Sequence, residues 1–251
     1  MPLTLFPRSA WEDHAGLERL LDALDAGAGA TRFVGGFVRD TLLGHRTADI
    51  DCATRFPPDV VIERVSGAGF KAIPTGIAHG TVTAIIPAGP VEITTLRRDV
   101  STDGRRATIA YTDDWREDAA RRDFTINALY CDRRGVLHDP LGGYPDLAAR
   151  RVRFIGDPHA RIREDYLRIL RFFRFSAEYT DGAPDAVGLA ASAELKDGLD
   201  QLSGERIRQE LLRLLAAPAA AAVVGSMSAT GILTHVIPSA QGLVPFLRTR
   251  G

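Results

Sequence analysis

Phe33-Val-Gly-Gly-Phe-Val-Arg-Asp40, followed shortly by Asp49-Ile-Asp51, collects the groups that phosphate chemistry needs. Gly35 and Gly36 lack a Cβ, so a backbone can pass close to a bulky anion there. A helix beginning just after them turns its first N–H groups and its positive dipole end toward the same anion. Arg39 adds a forked cationic donor shaped for phosphate oxygens. Asp49 and Asp51 straddle Ile50. On a strand, residues two apart share a face, so both carboxylates project to one side while Ile50 enters the core. Two carboxylates on one face repel and desolvate each other unless a cation sits between them. Mg²⁺ is the natural occupant, because it is commonly held by one or two carboxylates plus substrate phosphates. A phosphate cradle beside metal-holding carboxylates reads as phosphoryl or nucleotidyl transfer. Taken singly, a glycine pair is usually an ordinary turn and Asp-x-Asp a solvated strand end; their order within one short unit carries the reading.

The elements that must position these groups follow from periodicity. Leu17, Leu20, Leu21 and Leu24 predict an amphipathic helix over residues 9–26, ended by Gly27–Gly29. Thr31–Val34 reads as a strand, Gly35-Gly36 as a turn and Val38–Leu43 as a helix. Asp49–Ala53 is the next strand, carrying the carboxylates. Pro57-Pro58-Asp59 opens a helix through Val65, with Gly67 and Gly69 past its end. Phe70–Ile73, Thr81–Ile86 and Val91–Thr95 are further strands, the last two joined by a turn at Pro87–Pro90. Glu92 alternates with Val91 and Ile93. On an antiparallel partner of the Asp49/Asp51 strand it would add a third carboxylate, although the alternation equally fits a glutamate facing solvent. Residues 98–114 are polar, without periodicity, and read as a long loop.

Further on, Arg121-Arg122-Asp123-Phe-Thr-Ile-Asn127 falls in a helix predicted from Asp118. There Asp123 and Asn127 are i, i+4 neighbours beside Arg122, a group able to hold ribose hydroxyls and phosphates or simply to form a solvated face. From Asp157 the pattern becomes continuous helix. Asp165 and Arg168 are three apart and share a face. A carboxylate accepts from an exocyclic amine and a guanidinium donates to a ring nitrogen or carbonyl oxygen, so such a pair can accept cytosine and adenine while rejecting uracil and guanine. An ordinary surface ion pair has the same spacing. Asp185–Leu199 and Gly204–Leu215 are further helices. Residues 223–251 hold a short helix, punctuation at Pro238, Gly242 and Pro245, and a basic end.

Gly35-Gly36-x-Val38-Arg39-Asp40-x-Leu42-Leu43-Gly44 followed by Asp49-x-Asp51 resembles the first motif of class II tRNA nucleotidyltransferases (CCA-adding enzymes) and bacterial poly(A) polymerases. His79-Gly80-Thr81, Val91–Arg97, Arg121–Ala128 and Leu137–Gly143 are similar to the motifs that follow. So is Glu164-Asp165-x-x-Arg168-x-x-Arg171, which looks like the family's amino-acid template for the nucleobase. Glu205–Leu212 resembles its last neck motif, a scaffold. The resemblance covers roughly residues 30–237. It implies an α+β fold: a DNA polymerase β-like head with a mixed sheet, then an all-helical neck. It also implies a third acidic residue at Glu92, ribose and triphosphate contacts for Arg122, Asp123 and Asn127, and base recognition by Asp165, Arg168 and Arg171. The loop at 98–114 would aid the switch from adding C to adding A. The expected domains are an N-terminal helix at 1–27, the catalytic head at 28–155 and the neck at 156–225. Residues 226–251 would start a body domain that is largely missing.

The chain has 251 residues, is 45% apolar and carries a formal charge of −1. That is ample for one large domain or two small ones, and nucleic-acid binding needs a local basic patch rather than a global excess. Lys71 and Lys196 are the only lysines, so the positive charge is almost all arginine. Cys52 and Cys131 fit neither a metal spacing nor a disulfide framework, which suits a reducing cytoplasm. No signal-peptide pattern and no apolar run long enough for a bilayer is present, so no membrane partner is expected. The expected partners are CTP, ATP and the 3′ end of tRNA rather than DNA, with Mg²⁺ as cofactor. The expected reaction is template-independent addition of C and A to that end, releasing pyrophosphate. The alternatives are a poly(A) polymerase, an enzyme adding only CC or only A, and a non-catalytic RNA-binding relative.

Overall fold

The computed structural model describes residues 6–45, 47, 49–103 and 106–237. The chain divides into two compact units. The first comprises Met1–Ser101, Ala107–Arg122 and Ile126–Tyr144; the second comprises Thr102–Arg106, Asp123–Thr125 and Pro145–Gly251.

In the first unit, the single helix expected over 9–26 is a short 3₁₀ turn at Arg8–Ala10 followed by α1 (Leu17–Ala23). Gly16 separates them in a left-handed conformation, φ +89°, through which a helix does not run. Its φ and the Pro87 ring, 2.6 Å from where a Cβ would stand, both call for glycine. Phe6 and Trp11 are nonetheless buried. Trp11 lies tilted against Phe33, ring centroids 5.1 Å apart, and Phe33 against Phe37 at 5.0 Å, so the N-terminal segment forms part of the core.

The remaining elements are β1 (Thr31–Val34), α2 (Gly36–Leu42), β2 (Ile50–Thr54), α3 (Pro58–Gly67), β3 (Lys71–Gly76), β4 (Thr81–Ile86), β5 (Gly89–Thr95), β6 (Arg97–Asp103), β7 (Arg106–Tyr111), α4 (Trp115–Ala120), β8 (Tyr130–Cys131) and β9 (Leu137–His138). Seven strands form one mixed sheet in the order β3-β4-β5-β2-β1-β8-β9. α3 packs on β3, β4 and β5 through its buried Val61 and Val65.

β2 and β5 run parallel, not antiparallel as expected from the sequence, with Asp51 opposite Glu92. Chain reversals explain it. After β2 the chain runs back through α3, forward through β3, back through β4 and forward again in β5. β5 therefore joins β2 with the same direction. Ile50, Cys52, Val91 and Ile93 are buried, while Asp51 and Glu92 occupy the alternate positions. β6 and β7 form a second, two-stranded sheet where a structureless loop was expected. Ile109 and Tyr111 are residue types that favour strands, a signal that the surrounding arginines obscure.

The second unit is helical: after α5 (Gly143–Ala148) come α6 (Pro158–Glu164), α7 (Leu167–Tyr179), α8 (Ala186–Glu194), α9 (Gly204–Leu215), α10 (Ala220–Ala229) and α11 (Ile232–Val236). Asp157 caps α6 by accepting from Ala160 N at 3.0 Å, and Pro158 fills the first turn. Phe124, Phe154, Phe172 and Phe175 form its aromatic core, with Phe124–Phe154 centroids 4.9 Å apart. The helix expected to run unbroken from Asp157 stops at Asp165, which is extended (φ −158°, ψ 108°). Its side chain accepts from Leu167 N at 3.1 Å. This side-chain alternative to the helical bond is what starts α7 anew. The helix expected over Asp185–Leu199 ends at Glu194 and continues as a 3₁₀ turn at Lys196–Gln201. The punctuation at Pro238, Gly242 and Pro245 lies outside the described residues.

Within that turn, a Cβ on Gly198 would stand 2.0 Å from the Tyr166 ring. Gly198→Ala must drive the ring off its packing, and should cost about 1–3 kcal/mol. A urea midpoint equal to wild type would show that the ring moves freely.

Candidate active site

In the first unit, Gly35 closes the turn between β1 and α2 at φ +64°, ψ −124°, a conformation open to glycine. Its N–H bonds Leu129 O at 3.1 Å, tying the turn to the chain just before β8. The first bond inside α2 runs from Arg39 N to Gly35 O at 2.9 Å. The N–H groups before Arg39 have no partner within the helix and lie at its positive end.

Arg39 is buried. Its Nε and Nη2 bond the Asp40 carboxylate at 2.8 and 2.9 Å, and its Nη1 donates to the Asn127 side-chain oxygen. Asn127 does not stand one helical turn after Asp123, because α4 ends at Ala120 and Asn127 lies in a separate 3₁₀ turn at Thr125–Asn127. It serves both cations of the site: its side chain accepts from Arg39 and its backbone oxygen from Arg122 Nη1 at 3.4 Å.

Asp49 is exposed and sits one residue before β2 rather than on it; Asp51 is partly buried on the strand. Burial pushes the Asp51 carboxyl up to about 6. Glu92 and Asp49 add to the rise, against the pull of Arg122 and Arg39. Burial first, and then like charge from Glu92 and Asp49, disfavour the ionised carboxylate despite the nearby arginines, a penalty that a bound cation would relieve. Hard oxygen donors in that setting suit Mg²⁺. Among the described residues, no three His, Cys, Asp or Glu side chains gather into a ready-made metal cage. Two aspartates could be the protein's share of such a site where substrate phosphates complete the coordination.

Sequence reasoning missed Asp118, whose side chain is 1% exposed. It takes Arg121 at 2.7 Å, Arg122 Nη2 at 3.1 Å and the Tyr130 hydroxyl at 2.8 Å. The signal was legible, since an aspartate three and four residues before two arginines on one helix faces both. Burial raises its pKa, but Arg122 and Arg121 more than reverse this and hold it down at about 2. An acid whose folded pKa lies below its unfolded value of 3.8 stabilises the fold above that value and loses the contribution as pH falls toward 2. We expect wild type to lose about 2 kcal/mol from this group over that window. Asp118→Asn should lack that share of the acid dependence, read from urea midpoints at neutral and acid pH.

Three expected site residues and Asp123 lie in the second unit. Asp123 accepts from Phe124 N at 2.8 Å and from Arg171 Nε at 2.9 Å. Arg171 also approaches Glu210 at 3.6 Å. Asp165 and Arg168 do not share a helix face or pair with each other. The break at Asp165 turns its second oxygen to Arg206 at 2.7 Å, while Arg168 Nη1 bonds Glu164 and Arg161 O. Among the described residues, Nε and Nη2 of Arg168 have no hydrogen-bond partner. Arg206 lies 41 residues from Asp165, and no local pattern announces that pair.

Residues 31–153 match the family model described as the poly A polymerase head domain, and residues 188–243 match the probable RNA- and SrmB-binding site of polymerase A. The chain is similar to mitochondrial CCA tRNA nucleotidyltransferase 1 of Mus musculus, at 40% identity over 235 residues. That match covers 92% of this chain and 54% of the mouse protein. It is 36% identical over 208 residues to the CCA-adding enzyme of Geobacillus thermodenitrificans, covering 81% of this chain and 50% of that one. The solved CCA-adding enzyme of Bacillus stearothermophilus in complex with CTP superposes with a TM-score of 0.79 at 31% identity, covering 92% of this chain and 56% of that one. The chain belongs to the CCA-adding enzyme and poly(A) polymerase family. Like those family members, it has a mixed-sheet head followed by helices. It spans about half the length of the curated family members it matches. No helix among its described residues is long and apolar enough to cross a membrane.

Proposed function

We propose that this chain carries the catalytic part of a template-independent RNA nucleotidyltransferase, adding C and A from CTP and ATP to the 3′ end of tRNA. The observation that carries the reading is the setting of Asp51. It sits opposite Glu92 and near Asp49, with Arg39 and Arg122 close enough to act on its charge. This is an acidic centre flanked by fixed cations, the pattern suited to charge developing on transferring phosphate.

Asp49 and Asp51 would hold Mg²⁺, which when bound lowers the pKa of the RNA 3′-hydroxyl and offsets charge on the departing pyrophosphate. Gly35 and Gly36 would admit the triphosphate against backbone N–H groups. Arg39 and Arg122, held by Asp40, Asn127 and Asp118, would supply cationic donors whose orientation is set before the nucleotide arrives. Asp165 and Arg168 are the residues proposed for base selection, Arg168 through Nε and Nη2. Arg206 and Glu164 fix their geometry. Arg171 would act by orienting Asp123.

The test offers each of the four triphosphates separately, with Mg²⁺, to tRNA lacking its terminal CCA. Incorporation of C and then A, and neither U nor G, is the expected outcome. Extension with ATP alone into a long tail would instead make this a poly(A) polymerase. RNA binding without any incorporation would remove it from the enzymes.

A further inference from the structure

We propose that Asp118 and Tyr130 are positioning residues that hold the Arg122 guanidinium against the Gly35 turn. The inference rests on the reading of Arg122 as a triphosphate contact. The two oxygens of Asp118 divide the work. Oδ1 takes Arg121, through Nε at 2.8 Å and Nη2 at 2.7 Å, and the backbone N–H of Arg97 at 3.3 Å. Oδ2 takes Arg122 Nη2 at 3.1 Å and the Tyr130 hydroxyl at 2.8 Å. The first oxygen anchors the carboxylate to the end of α4 and to the start of β6. The second, fixed by the tyrosine, sets the edge of Arg122.

The opposite edge of Arg122 then faces the turn. Its Nη1 lies 3.4 Å from where a Cβ on Gly35 would stand, and 3.4 Å from Asn127 O. Tyr130 is itself buried against Trp115, ring centroids 5.3 Å apart, so its hydroxyl has a fixed direction.

A double-mutant cycle tests this. Steady-state KM and kcat for CTP and ATP would be measured with the full chain for wild type, Tyr130→Phe, Asp118→Asn, Arg122→Ala and the two pairs with Arg122→Ala. Each positioning variant should raise KM for both nucleotides about tenfold, the effect of one charge-assisted hydrogen bond, with kcat within about threefold. In the Arg122→Ala background the same substitutions should change KM no further. Multiplying effects there, or kcat falling with KM unmoved, would overturn the proposal and leave Asp118 and Tyr130 as scaffold. If Asp118→Asn fails to fold, the Tyr130→Phe arm decides alone. A wild-type chain that incorporates neither nucleotide would instead sink the enzymatic reading.

Discussion

Replacing Asp49 and Asp51 together by alanine is expected to reduce nucleotide incorporation by about three orders of magnitude or more. The fold should survive. Asp49 is exposed, and the ionised form of Asp51 is disfavoured by burial and by like charge from Glu92 and Asp49. Among the described residues the Asp51 side chain makes no hydrogen bond, so its removal relieves repulsion without breaking one. Thermal unfolding of the double variant in a chelator should therefore occur at or above the wild-type temperature. Activity and stability moving in opposite directions is the signature of a site whose geometry serves a metal rather than the fold. A variant that unfolds early would instead make the two aspartates structural.

The second large effect falls on stability. Arg174 and Glu210 are each 8% exposed and bond at 2.6 Å between α7 and α9. Among the described residues, Arg174→Ala leaves the buried Glu210 carboxylate with the more distant Arg171 at 3.6 Å. Breaking a buried pair from one side costs about 3–5 kcal/mol, because the remaining charge stays desolvated. The denaturation midpoint should fall accordingly. The paired replacement Arg174→Met, Glu210→Leu should recover most of the loss, since the charge left behind is then Glu178, which loses its 3.0 Å contact with Arg174 but is a quarter exposed. Equal loss in the single and paired variants would show that shape, not charge, governs this contact.

What was legible in the sequence was local. Strand β4 and helix α9 fall where alternation and helical spacing put them. The Gly35 turn between β1 and α2 follows from its glycine pair. The mixed-sheet head and its helical continuation were implied by the family resemblance rather than by these patterns. What was not legible depends on pairing over distance or on a single side-chain bond. Parallel pairing of β2 and β5 is set by the number of chain reversals between them, which alternation does not report. The break at Asp165 comes from one carboxylate accepting from Leu167 N. Asp123 meets Arg171 across 48 residues, and Asn127 meets Arg39 across 88, so a local i, i+4 reading joined the wrong partners. Asp49 missed the strand by one residue, which matters because its carboxylate then does not share the strict strand alternation with Asp51.

The most direct measurement is a crystal of the chain soaked with Mn²⁺ and a non-hydrolysable CTP analogue, with anomalous scattering used to locate the ion. The expected result is a metal peak within coordination distance of carboxylate oxygens of both Asp49 and Asp51, with triphosphate oxygens completing its shell beside Gly35. A peak held elsewhere, or a nucleotide bound away from these two aspartates, would contradict it.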